Sequence, residues 1–214
     1  MSNYKTVFFI LGVLQIILGL SMIVPIIAQF YYNQVDSGFI GSGLVSIIFG
    51  VLFFLSNLDY EKKLTLPQAF LLTALSWLSI AIFGSLPFVF SDLSLSFTNA
   101  FFESMSGITT TGSTILTNLN ETPKAILLWR AMLQWLGGIG IIVMAITLMP
   151  IMNIGGMQLF VISNTHTPEK ILPKSKEISI RLIAIYSTLT LVCAFFYKIF
   201  GMSFFDSIVH SMTT

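Results

Sequence analysis

Long apolar runs alternate with short polar breaks along this chain, and the runs come in two lengths. Five are long: Val7–Gln29, Phe39–Leu55, Leu66–Phe90, Ala125–Met149 and Ile178–Phe200. A helix crossing the hydrocarbon of a bilayer needs roughly 20 such residues, so each reads as a span. Two runs are short. Leu95–Ser106 has helical spacing but cannot cross a bilayer, and a similar short segment closes the chain at Thr214. Pro67 suits the first turn of the third span, Pro150 is expected to close the fourth, and Ser94 and Ser96 are both candidate N-caps for the short helix. The predicted fold is an all-α polytopic integral membrane protein. Two leading helices (1–63) precede a helix–pore loop–helix unit (64–152). A cytoplasmic connector (153–177) and an incomplete second unit (178–214) follow.

The cations fall on one side of that pattern. Lys5, Lys62 and Lys63 share a side with Lys170, Lys174, Lys176 and Arg181 if the spans alternate. Asp36, Asp92 and Glu121 fall on the other, with Lys124 and Lys198 as exceptions. Basic loops stay in the cytoplasm, which places the N-terminus inside and the loop after the short helix outside.

That loop, Ser106-Gly-Ile-Thr-Thr-Thr-Gly-Ser-Thr114, joins a non-spanning helix to a spanning one. Irregular backbone at membrane depth is tolerated where it lines a cavity, and rings of backbone carbonyls replace an ion's water shell in cation filters. Gly112 can adopt positive φ at little cost and so turn neighbouring carbonyls toward one axis. Thr109, Thr110 and Thr111 add hydroxyls near those carbonyls, and Ser113 and Thr114 continue the polar lining. The C-terminal end of the short helix carries partial negative charge, which favours a cation beside it. The competing reading is a plain polar turn outside the membrane.

Composition agrees. Apolar residues make up 55% of the chain and charged residues 9%, with mean hydropathy +0.90. A net charge of +1 gives no footprint for nucleic acid. Cys193 is the one cysteine, so no internal disulfide forms, and His166 and His210 lie far apart without cysteine companions. The first run lacks the cleavage site of a signal peptide and reads as a retained helix. No phosphate-binding loop, dinucleotide fingerprint or nucleophile elbow is present, and Glu103, His166 and His210 form no convergent catalytic set. The chain reads as no enzyme, and no cofactor is expected to be covalently bound.

Glu103 stands inside the short helix, where an unpaired carboxylate is costly. It either supports the loop from behind or sits at a wet outer surface. Arg130 reads as a snorkelling or structural residue near an interface. Gly137-Gly138-Ile-Gly140 permits close helix contact or a bend. There is also a repeat. Asn99-Ala-Phe-Phe-Glu-Ser-Met-Ser106 matches Asp206-Ser-Ile-Val-His-Ser-Met-Thr213 at an offset of 107, while a second register pairs Phe101-Phe-Glu-Ser104 with Phe204-Phe-Asp-Ser207.

Phe101-Phe-Glu-Ser-Met-Ser-Gly-Ile-Thr-Thr-Thr-Gly-Ser-Thr114 resembles the first pore loop of the Trk/Ktr potassium-uptake family, TrkH branch. Leu128-Trp-Arg-Ala-Met-Leu-Gln-Trp-Leu-Gly-Gly-Ile-Gly-Ile141, Gly155-Gly-Met-Gln-Leu-Phe160 and Phe205-Asp-Ser-Ile-Val-His-Ser-Met-Thr-Thr214 are similar to the segments that follow it in that family. The resemblance implies four helix–loop–helix units around one pore and potassium uptake across the bacterial plasma (inner) membrane. It implies a homodimer gated by a cytoplasmic nucleotide-binding subunit. It also makes Thr110, Thr111, Gly112 and Ser113 the first quarter of a potassium filter. Single-glycine filters of this kind are looser than those of potassium channels, which leaves sodium open as a second ion and symport open beside passive permeation. One complete unit and part of a second make the expected product an N-terminal portion of a pore subunit. The alternative is a non-conducting accessory piece that binds full subunits.

Overall fold

The computed structural model describes residues 4–34, 36–60, 64–119, 121–152 and 171–214. Eight helices occupy them: α1 (Lys5–Ser21), α2 (Ile23–Tyr31), α3 (Gly38–Ser56), α4 (Leu66–Phe90), α5 (Phe97–Ile108), α6 (Lys124–Met152), α7 (Ile171–Ile199) and α8 (Phe204–Thr213). Among the described residues there is no strand. Five stretches are long and apolar enough to cross a membrane: Lys5–Tyr31, Gly38–Ser56, Leu66–Phe90, Lys124–Ala145 and Glu177–Ile199. They correspond to the five predicted spans. The chain divides into two compact units, the first running to Gly137 and the second starting at Gly138.

In the first unit α1 lies along α3, and α4 packs against α1, α3 and α5. The α1–α3 contact is close because both helices present glycine to it. A Cβ on Gly12 would stand 2.7 Å from the Gly50 carbonyl oxygen and 2.7 Å from the Phe54 nitrogen, and one on Gly50 would stand 2.8 Å from the Gly12 oxygen. Without a hydrophobic drive between helices in lipid, such backbone approach supplies the van der Waals packing. Phe9 extends it by stacking on Tyr60 at 4.0 Å and tilting against Phe54 at 4.8 Å.

The first predicted span is interrupted at Met22, between α1 and α2. Pro25 explains the break. It has no N–H for the Ser21 carbonyl, and its ring crowds that carbonyl. α6 continues past Pro150 to Met152 instead of ending there, since a proline removes one helical bond and the turn beyond it persists. α7 begins at Ile171, earlier than the predicted Ile178, because Pro173 is compatible with a first turn. Lys62, Lys63 and the connector motif Gly155–Phe160 lie outside the described residues.

The loops predicted to share the outer side do meet. Asp36 accepts from the Gly38 amide at 2.8 Å and from the Asp92 amide at 3.1 Å. Gln34 Oε1 accepts from the Lys124 amide at 3.0 Å. The α2–α3 loop, the α4–α5 loop and the start of α6 are thereby tied at one end of the first unit.

In the second unit α6 meets α7 at Gly138, where a Cβ would come within 2.6 Å of the Tyr186 hydroxyl. Ile139, Ile142, Leu182, Ile183 and Tyr186 line a small apolar cleft beside it.

Candidate functional site

α5 is a 12-residue helix, too short to span. Its N-cap is Ser96, whose hydroxyl oxygen accepts from the Asn99 amide at 3.4 Å, which settles the choice between Ser94 and Ser96. α4 and α6 position it. Gly84 allows α4 to approach Ser104, and Gly107 faces Leu133 of α6. Trp129 is fully buried, donates from Nε1 to the Gly84 carbonyl at 2.9 Å, and meets the Phe39 ring edge-on at 6.2 Å. Gly137 lies directly on the Ile108 carbonyl at the end of α5.

The chain then doubles back on that end. Thr110 N–H donates to the Gly107 carbonyl at 2.9 Å and Thr111 N–H to the Ser106 carbonyl at 3.0 Å. This pair of bonds is a Schellman closure, which satisfies helix-end carbonyls and needs a left-handed residue after the cap. That residue is Thr110, with φ +58°. A β-branched side chain pays roughly 1–2 kcal/mol for this conformation. Gly112 is left-handed too, with φ +76°, as its lack of a side chain allows. The hydroxyls of Thr109 and Thr111 are 2.9 Å apart. Thr109 donates onward to the Met105 carbonyl at 2.7 Å, so Thr111 is the donor between them.

Glu103 anchors the loop from behind. Its side chain is 0% exposed, so the wet outer surface considered for it is excluded. Oε1 accepts from Thr114 Oγ1 at 2.6 Å and from the Ile115 amide at 2.5 Å. Oε2 pairs with Arg130 Nε at 2.8 Å. The same guanidinium donates from Nη2 to the Gly112 carbonyl at 2.7 Å and the Ser113 carbonyl at 3.2 Å. Ser106 Oγ donates to the Ser113 carbonyl as well, at 2.6 Å.

The four candidate lining residues therefore lie together in one loop with Glu103 behind them. Arg130 does not snorkel, because its guanidinium is committed to this network. Charge complementarity signals the pairing. Glu103 is the one acid between Asp92 and Glu121, and Arg130 is the one charged residue between Lys124 and Glu169. No local pattern flags the left-handed Thr110.

A family model described as a cation transport protein, TrkH, matches residues 5–214. The chain belongs to the TrkH family. It is 38% identical over 206 residues to the Trk system potassium uptake protein TrkI of Halomonas elongata, covering 96% of this chain and 42% of that one. It is 38% identical over 216 residues to TrkH of Escherichia coli K12, covering 99% and 45%. The crystal structure of the potassium transporter TrkH from Vibrio parahaemolyticus superposes with TM-score 0.87 at 34% identity, covering 99% of this chain and 42% of that one. The chain thus spans a little under half the length of these TrkH-type relatives. The family is one of transporters and not of enzymes, and the protein is a multi-pass membrane protein.

Proposed function

We propose that this protein contributes the first quarter of a potassium-uptake pore. Thr110, Thr111, Gly112 and Ser113 line the ion path, and Glu103 supports them. One observation carries the reading: an irregular Thr/Gly loop folded onto the C-terminal end of a non-spanning helix and braced by an ion pair whose carboxylate is buried. Irregular backbone at membrane depth is tolerated where it is buried in protein or lines a water-filled cavity, and a pore loop meets that condition. The helix end directs its partial negative charge toward the loop, and carbonyl oxygens supply the ligands that potassium loses with its water. Permeation is passive and limited by the filter. The relatives are potassium uptake proteins, which supports potassium as the ion.

The working protein sits in the bacterial inner membrane with its N-terminus in the cytoplasm. It acts as a homodimer under a cytoplasmic nucleotide-binding gating subunit. The test is rubidium tracer uptake in a host lacking its own potassium systems, with the complete native locus expressed. Gly112→Ala forces a side chain into the left-handed region and is expected to abolish uptake at unchanged membrane abundance. Wild-type uptake by that variant sinks the proposal.

A further inference from the structure

We infer that Arg130 is the positioning residue that decides which carbonyls of the loop face the permeating cation, an inference that rests on the filter reading above. Its guanidinium holds the Gly112 and Ser113 carbonyls at 2.7 and 3.2 Å. An oxygen bound to a cationic donor is a poor ligand for a second cation, because the two positive charges would share it. The carbonyls of Thr109, Thr110 and Thr111 accept no hydrogen bond among the described residues. The turn thus sorts its carbonyls into two sets. Those of Gly112 and Ser113 are tied back to α6, so these two residues line the path as its turn and wall, and the threonine carbonyls are left as ligands for the ion.

Geometry makes arginine necessary here. One fork reaches a carboxylate through Nε and two carbonyls through Nη2, which a lysine point charge cannot do. Glu103 has a second task beside orienting that fork. A lone guanidinium behind the loop would repel the ion, and the carboxylate at 2.8 Å cancels its charge. Arg130 therefore sets register while the pair together adds no net charge to the filter.

The pair makes a prediction that a purely structural brace does not: ion discrimination should change when the bracing geometry changes. The experiment expresses the complete native locus in the potassium-uptake-deficient host and measures rubidium uptake under sodium competition. Membrane abundance and melting are recorded for each variant. Arg130→Lys keeps the charge but loses the fork, and the preference for rubidium over sodium is expected to fall by about tenfold or more, as for one lost charge-assisted hydrogen bond. Glu103→Gln exposes the uncompensated guanidinium and is expected to cut uptake more than the Glu103→Gln/Arg130→Gln double variant does. Ser106→Ala removes only the 2.6 Å bond to the Ser113 carbonyl, and it decides the matter if Arg130→Lys fails to accumulate. A smaller loss of discrimination is then expected. An unchanged rubidium-to-sodium ratio in whichever of these two variants accumulates normally overturns the inference. Gly112→Ala separates the failures. If it abolishes uptake while that ratio stays fixed, only the role of Arg130 is wrong; if uptake persists, the filter reading itself falls.

Discussion

Replacing Gly84 by alanine probes how α5 is seated. The new Cβ would stand 2.7 Å from Ser104 Oγ, 3.2 Å from Leu133 Cδ2 and 3.8 Å from Leu133 Cδ1. Carbon and oxygen approach to about 3.3 Å at closest, so the hydroxyl must retreat by roughly 0.6 Å. Overpacking of this kind costs about 1–3 kcal/mol. Removing a glycine from a helix interior returns about 1 kcal/mol, leaving Gly84→Ala destabilised by about 1 kcal/mol. Ser104 Oγ is fully buried and has no hydrogen-bond partner. Deleting it in Ser104→Ala removes an unsatisfied polar group, so that variant should be neutral or more stable by up to about 1 kcal/mol. In the double variant the overlap is gone while the helical gain stays. The cycle should therefore show a coupling of about 1–2 kcal/mol between the two positions. Unfolding of the purified protein in one detergent, followed by intrinsic tryptophan fluorescence, reads all four corners. Additivity within about 0.3 kcal/mol would refute the steric account, and so would Ser104→Ala costing more than about 1 kcal/mol.

Two further outcomes use the same measurement. Thr110→Gly should stabilise the protein by about 1 kcal/mol by relieving its left-handed backbone, offset in part by glycine's greater unfolded-state entropy; a clear loss of stability would show that the side chain contributes more than its strain costs. Gly12→Ala sets a Cβ at 2.7 Å against backbone of α3 that no rotamer change can move, and should cost about 2–3 kcal/mol, whereas Gly41→Ala has nothing within 4 Å of its Cβ and should be neutral or slightly stabilising.

Hydropathy made the spans legible because lipid leaves the chain little choice: a run of about 20 apolar residues satisfies its own backbone only as a helix. The candidate loop was noticeable for a related reason, since a Thr/Gly stretch between a short and a long apolar segment is an unusual arrangement. Residues whose role depends on a partner far along the chain were harder to read. Glu103 and Arg130 are 27 positions apart, and each alone is compatible with a wet interface. Their pairing became apparent only once α5 and α6 were packed. Thr110 shows a different limit. Sequence reasoning assigns a left-handed turn to the glycine, and Gly112 does take one, but the Schellman closure falls two residues earlier on a threonine because α5 ends at Ile108. The break at Met22 was readable in principle from Pro25, yet high hydropathy across both sides concealed it.

The internal repeat shows how backbone geometry can decide what letters leave open. An offset of 107 sets Ser96 against Ser203, and both are N-caps whose hydroxyls accept from the amide three residues on, Asn99 and Asp206. It also sets Ser94 against Gly201, and both have positive φ, +45° and +99°. The alternative offset of 103 would place the Ser203 cap against Ala100, which is buried inside α5. α5 and α8 are therefore the same element in the register of 107, entered through the same left-handed step and the same cap. In that register Glu103 corresponds to His210, whose ring meets Tyr197 edge-on at 6.5 Å. An imidazole cannot accept at two oxygens as the Glu103 carboxylate does, from Thr114 and Ile115 on one and Arg130 on the other. The helical scaffold of the repeat is thus shared between the units, while the buried carboxylate that ties the first loop to α6 is a feature of the first unit that α8 does not reproduce.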